Sequence, residues 1–198
     1  MKLYHSPASP FARKVVASAI VLDLDRQIER VRVNPHLSPP ELLAANPLSK
    51  IPCLVTSDGV GLFDSAVICA FLDSIGGAAI LFPASGKARW RALKLQAMAD
   101  GLLDAAVICR LEGRKPREAA REAHIARQKA AIARVLDVCD ADMQYRSVDI
   151  GSLSLACALG YLDFRFADDP WRPARPKLAA WMEAFSQNPC IALTPHHE

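Results

Sequence analysis

Hydrophobic positions along the first third of the chain change period repeatedly, whereas those of the remainder keep one period. Lys2-Leu3-Tyr4-His5 is too short for a helix and is stopped by Ser6-Pro7, so it predicts a strand. From residue 10 to about 22, Phe11, Val15, Ala19 and Leu22 recur at helical spacing, with Ser9 placed as N-cap and Pro10 as the first helical residue. Residues 27–33 alternate Ile28, Val31 and Val33 with charged neighbours and close at Asn34-Pro35, which predicts a second strand parallel to the first across the helix. A short helix over 41–45 follows, then Ile51-Pro52-Cys53-Leu54-Val55 and Gly61-Leu62-Phe63 as an antiparallel pair joined through Ser57-Asp58-Gly59, and a helix over 65–75 ended by Gly76-Gly77.

That order of elements is a thioredoxin-like α/β arrangement. Beyond Leu81-Phe82-Pro83-Ala84-Ser85-Gly86, read as a linker, the strand pattern disappears and Ala-, Arg- and Leu-rich helical periodicity takes over. Amphipathic helices are predicted over 87–112, 116–140, 150–166 and 176–186, and a bundle burying their apolar stripes accounts for them better than a membrane-surface role. The expected fold class is therefore α/β plus all-α, with a thioredoxin-like domain over 1–80 and an all-helical domain over 87–198.

Composition narrows the function classes. The 198 residues are 52% hydrophobic, enough for a buried core, and the net charge of +3 comes from basic residues interleaved with acids rather than gathered in a stripe. No nucleic-acid partner is expected. The opening MKLYHSPASP has no apolar run of signal-peptide length and no run approaches the roughly 20 apolar residues of a membrane span, so the expectation is a cytoplasmic protein with no membrane association. The six cysteines sit mostly in apolar runs, at none of the close spacings of a zinc site or redox dithiol, and read as buried thiols; no metal is expected.

Three places could carry chemistry. At Ser6-Pro7-Ala8-Ser9-Pro10-Phe11 a strand ends and a helix begins, so free N–H groups and the positive end of the helix dipole would favour an anion beside Ser9. At Lys50-Ile51-Pro52-Cys53-Leu54 a proline opens a strand, and a cis Ile51-Pro52 bond would leave the Ile51 backbone free to pair with a peptide. At Phe63-Asp64-Ser65, Ser65 is placed to cap the next helix and receive a carboxylate while Asp64 offers a charge to an ammonium. Each also has a bland account: a plain N-cap, a strand-edge proline, a helix cap.

Taken together, Ser9-Pro10-Phe11-Ala12-Arg13-Lys14, Asn46-Pro47-Leu48-Ser49-Lys50-Ile51-Pro52-Cys53-Leu54 and Asp64-Ser65 resemble the glutathione S-transferase family, over nearly the whole chain. The resemblance extends to bacterial members with Ser-Pro-Phe at the first helix and a late Ala-Cys-Ala-x-Gly-Tyr-Leu stretch, here Ala156 to Leu162. The resemblance implies glutathione as co-substrate, held by Ser9, Phe11, Lys50, Ile51, Pro52, Asp64 and Ser65, with Ser9 as the residue attending the sulfur. It further implies a small hydrophobic electrophile as second substrate, a detoxification role and a homodimer. The apolar wall for that electrophile is expected around Met98, Leu102, Ala105 and Ile108, which are equally explained as bundle core.

Three departures from the family pattern stand out. Asp64 replaces the commoner Glu, keeping the charge at shorter reach. Asp149 and Ser152 replace the usual Ser or Thr with Asp three residues on, and are expected to cap reciprocally. Ser9 stands where thiol reductases of the family have Cys, so redox activity is expected to be absent or feeble. Two rival readings remain: a non-catalytic transferase-like scaffold, and a glutathione-dependent thiol reductase or peroxidase acting through Cys53.

Overall fold

The computed structural model describes every residue except Ala78, Met143, Gln144 and Arg146. Its sheet has four strands, β1 (Lys2–His5), β2 (Glu29–Arg32), β3 (Cys53–Val55) and β4 (Gly61–Leu62), in the order β2-β1-β3-β4. β1 and β2 are parallel, with Leu3 opposite Arg30, so the chain must cross over between them, and α1 (Pro10–Val21) is that crossover. β1 and β3 are antiparallel through Leu3 and Leu54, and β3 turns back into antiparallel β4 through Leu54 and Leu62.

Both faces of the two central strands are covered. Leu3 and Leu54 pack with Val15, Ile68 and Leu72, on the side of α1 and α3 (Ser65–Ile75). Tyr4 and Cys53 pack on the opposite side with Leu42 of α2 (Pro40–Ala45). This two-sided burial explains why β1 and β3 lack a clean polar and apolar alternation. The first part of the chain is thus thioredoxin-like, as the element order predicts. Two short 3-10 turns, Asp25–Gln27 and Pro35–Leu37, were not legible in the pattern.

The remainder is helical: α4 (Gly86–Glu112), α5 (Ala119–Ala141), α6 (Ile150–Arg165), α7 (Pro176–Phe185) and α8 (Pro189–Ala192). α6 is the central helix, with almost every side chain from Ile150 to Leu162 buried. Its start is fixed by the reciprocal cap expected from sequence: the Ser152 N–H donates to Asp149 Oδ1 at 2.9 Å, and the Asp149 N–H donates to Ser152 Oγ at 3.0 Å. α4 lies so close to α6 that a Cβ on Gly151 would stand 2.6 Å from the Ala92 carbonyl oxygen.

The segment leading from α3 into the helical part is held by one buried carboxylate. Asp73, 5% exposed, accepts N–H bonds from Ala79, Ile80, Leu81 and Phe82 at 2.7–3.4 Å. The Leu81 carbonyl in turn accepts from the Ile150 N–H at 2.9 Å. One apolar core therefore runs from the sheet through α1 and α3 into α4 and α6, joining Leu3 and Val15 to Leu102 and Leu155. Among the described residues no helix is long and apolar enough to cross a membrane.

Candidate functional site

The site begins where β1 runs into α1. The Ser9 N–H donates to the Ser6 carbonyl at 3.0 Å, closing a turn that sets Ser9 in extended conformation at the N-cap. Its Oγ accepts from the Ala12 N–H at 3.2 Å. That bond uses an acceptor lone pair and leaves the hydroxyl proton free to be donated. Pro10 has no N–H, Ala12 is bonded to the cap and Arg13 donates to the Ser9 carbonyl, so the Phe11 N–H is the helix-end donor without a partner among the described residues. Hydroxyl and N–H together form a half-buried, positively polarised end of α1.

Beneath this end lies an ion pair that the sequence reading passed over. Lys14 is fully buried and donates to both carboxylate oxygens of Asp100 on α4, at 2.6 and 2.7 Å. Burial raises the Asp100 carboxyl above its ordinary range, and the adjacent ammonium only partly opposes this. Asp104, one turn further along α4, is raised as well, by burial first and then by Asp100, with Lys50 acting in the opposite sense and Asp64 in the same sense. Lys50 and Asp64 are therefore brought within electrostatic reach of α4. Asp100 and Asp104 stand four apart and are the charged residues of the otherwise apolar stretch 97–109, which is the signal that could have flagged them.

The second element is the approach to β3. The Ile51-Pro52 peptide is cis, as the strand-opening proline had suggested. The Asn46 side chain donates to the Lys50 carbonyl at 2.8 Å and accepts from the Leu48 N–H at 3.0 Å, fixing the loop from inside. The Ile51 N–H and C=O take part in no hydrogen bond among the described residues. Cys53, directly after Pro52, is fully buried, and burial pushes its thiol up to about 11. All six cysteines are buried and free.

At the third element the structure corrects the sequence reading. Asp64, not Ser65, is the N-cap of α3: its Oδ1 accepts from the Ala66 N–H at 2.9 Å and from the Val67 N–H at 3.5 Å. Ser65 is the first helical residue and is buried. The shorter Asp side chain suits this role, because a carboxylate one methylene from the backbone folds back readily onto the N–H groups two and three residues on. The Ser65 N–H has no partner among the described residues.

Of the residues expected to form an apolar wall, Leu102 and Ala105 are core, while Met98 and Ile108 are half-buried. Among the described residues no group of three or more His, Cys, Asp or Glu side chains is placed to hold a metal ion.

A thioredoxin-like sheet followed by a helical bundle, with a capping serine at the first helix and a cis proline opening β3, is the two-part architecture of glutathione-transferase-type folds. The sequence matches the family models "Glutathione S-transferase, N-terminal domain" over residues 8–75 and "Glutathione S-transferase, C-terminal domain" over residues 122–184. The chain belongs to the glutathione S-transferase family. It is 32% identical to the uncharacterized GST-like protein YibF of Escherichia coli (strain K12), over 98% of each chain. A glutathione transferase family member from Pseudomonas fluorescens Pf-5, solved with bound glutathione, is 37% identical with a TM-score of 0.93, covering 100% of this chain and 99% of that one. A second structure of a Pf-5 family member, with bound S-(propanoic acid)-glutathione, is 38% identical with a TM-score of 0.86 over 98% of each chain.

Proposed function

We propose that the chain is a glutathione S-transferase that binds glutathione, stabilises its thiolate with Ser9 and conjugates it to a small electrophile. The observation that carries this is the bonding of Ser9: its oxygen accepts from the Ala12 N–H, so the hydroxyl proton remains to be donated. A free thiol near pKa 8.5 is only a few per cent ionised at neutral pH. One hydroxyl, the free Phe11 N–H and the end of α1 together favour the charged sulfur. The thiol proton leaves to solvent, the sulfur lone pair forms the new bond to carbon as a leaving group departs with its bonding pair, and the nucleophile belongs to glutathione rather than to the protein.

In this reading the free Ile51 N–H and C=O pair with the backbone of the peptide beside Pro52, and Lys50 approaches the ligand from the same loop. The Ser65 N–H and hydroxyl take the γ-glutamyl carboxylate while Asp64, with its cap bonds intact, faces the ammonium. Met98 and Ile108 supply apolar contact for the electrophile. The functional division is a glutathione-binding domain over 1–80 and a helical domain over 87–198.

The glutathione and glutathione thioether held by the Pseudomonas fluorescens relatives support the same chemistry here. Trp90 on α4 is 70% exposed and Val67 on α3 48%, apolar surface that a second copy in a homodimer would cover. We place this chain among the cytoplasmic, detoxifying members with Ser-Pro-Phe at the first helix. A reductase working through Cys53 is disfavoured, because a buried thiol held near 11 is almost wholly protonated at neutral pH.

The test is calorimetric titration of the folded chain with millimolar glutathione, followed by turnover with a chloronitrobenzene. A heat of binding together with turnover is expected. Binding without turnover of any electrophile would favour the scaffold, and no binding at all would overturn the proposal.

A further inference from the structure

The loop that carries Ser9 is continuous with a group of arginines that the chemistry above does not use. His196 lies against it, with Nδ1 3.5 Å from the Pro7 carbonyl oxygen. The same imidazole stacks on Phe164 of α6 at 5.5 Å and meets Tyr161 edge-on at 5.7 Å. Next to Phe164, the Arg165 guanidinium lies 3.9 Å over that ring and is forked by the Glu198 carboxylate, with Nη2 to Oε2 at 3.2 Å. The Arg165 side chain is only 9% exposed, and its buried Nε has no hydrogen-bond partner among the described residues.

From the C-terminal end of α4, which packs on α6, Arg110 in the last turn and Arg114 just beyond come within electrostatic reach of Arg165. Burial, Arg165 and Arg114, in that order, pull the Arg110 guanidinium below its usual value, while Tyr161 and Glu198 oppose them. The nearby Glu112 does not neutralise the group, because its carboxylate is taken by Lys115 and Arg121. Among the described residues the Glu198 carboxylate pairs with Arg165, while Arg110 and Arg114 act on it only at longer range, so positive charge outweighs negative here. Guanidinium groups hold such proximity best when a further anion sits among them, and the planar fork of Arg suits a carboxylate.

We infer that Arg110, Arg114 and Arg165, with Tyr161, form the anion-receiving end of the electrophile pocket, and that the chain prefers electrophiles carrying a carboxylate. This rests on the transferase reading and names the substrate class of that site. The His196, Tyr161 and Phe164 rings form the apolar stretch between the reacting sulfur and the arginines, so the preferred substrate is an aromatic or similarly flat acid. Glu198 holds the Arg165 fork until the substrate carboxylate takes its place. With 4-chloro-3-nitrobenzoate, the glutathione thiolate forms a C–S bond at the ring carbon bearing chlorine. The C–Cl bond breaks, chloride leaves with the bonding pair, and the carboxylate stays with the arginines unchanged.

The test separates this inference from the reading beneath it by measuring equilibrium binding of three ligands to the full chain: glutathione, S-(4-carboxy-2-nitrophenyl)glutathione and the matching carboxamide conjugate. The acid should bind at least about tenfold tighter than the amide, the weight of one charge-assisted hydrogen bond. R110Q and R165Q should each bring that ratio towards one, and E198Q should raise it by removing the competing carboxylate. Arg110 is the half-exposed member, so R110Q decides the matter if R165Q does not fold. Equal affinity for acid and amide, with glutathione still bound, overturns the inference alone. Failure of the folded chain to bind glutathione overturns the transferase reading and this inference with it.

Discussion

At the scale of single residues, Ser9 has two duties that substitution can separate. As N-cap it satisfies the Ala12 N–H; as hydroxyl donor it would stabilise a thiolate. Ser9→Ala should lose both, costing about 0.5–2 kcal/mol of stability and about ten- to a hundredfold in conjugation rate, with glutathione affinity little changed. Ser9→Gly should give the same rate loss at only a few tenths of a kcal/mol in stability, because glycine is a tolerated cap. Thermal melts and titration of the bound-thiolate absorbance near 240 nm measure the two effects. If both variants turn over like the parent protein, Ser9 is a cap and nothing more. Asp64 shows how far residue-level reading reaches: acid next to serine at a helix start was legible, but which of the two would cap depends on backbone angles that only the folded turn provides.

At the scale of elements, the contact between α4 and α6 depends on a missing side chain. Gly151 stands in the first turn of α6, where a Cβ would meet the Ala92 carbonyl at 2.6 Å and the Leu95 Cβ at 2.9 Å. Neither is the flexible end of a side chain, so the helices must move apart. Gly151→Ala should destabilise the chain by about 1–3 kcal/mol even though alanine is the better helix former, and chemical denaturation will show it. A neutral or stabilising result would mean that the helices part without cost. The caps of α1 and α6 were visible in the sequence, because capping is a matter of residues three apart. The partner of Gly151 was not, because Ala92 lies on another helix.

For the whole molecule, acid sensitivity follows from the docking of His196. Burial, reinforced by Arg13, lowers its imidazole from 6.5 to about 4. The unfolded chain takes up a proton near pH 6.5 that the folded chain refuses until about pH 4. The stabilisation is thus complete above pH 6.5 and is lost as pH falls from there towards 4, amounting to on the order of 3 kcal/mol at most. His5, lowered by burial and by Arg30, Arg32 and His197, adds to the same trend. His196→Phe, which keeps an aromatic ring against Phe164 and Tyr161, should flatten the pH dependence of the melting temperature between 6.5 and 4. An NMR titration of His196 with a midpoint near the ordinary 6.5 would show that the ring is not held as described.

The sequence by itself determined the alternation of strand and helix, the change from mixed to wholly helical structure after residue 80, the capping serine at α1 and the proline at β3. These depend on neighbours a few residues apart, where periodicity, turn chemistry and capping act. Only the tertiary structure decided that Lys14 would be buried against Asp100, that Asp73 would gather four N–H groups of the following segment, that Arg110 would come within electrostatic reach of Arg165, and that His196 would lie against Pro7. Lys14 and Asp100 are 86 residues apart in the chain, and Pro7 and His196 are 189 apart. No local pattern encodes such pairs, because their charges and rings are brought together by the packing of apolar faces on the same helices.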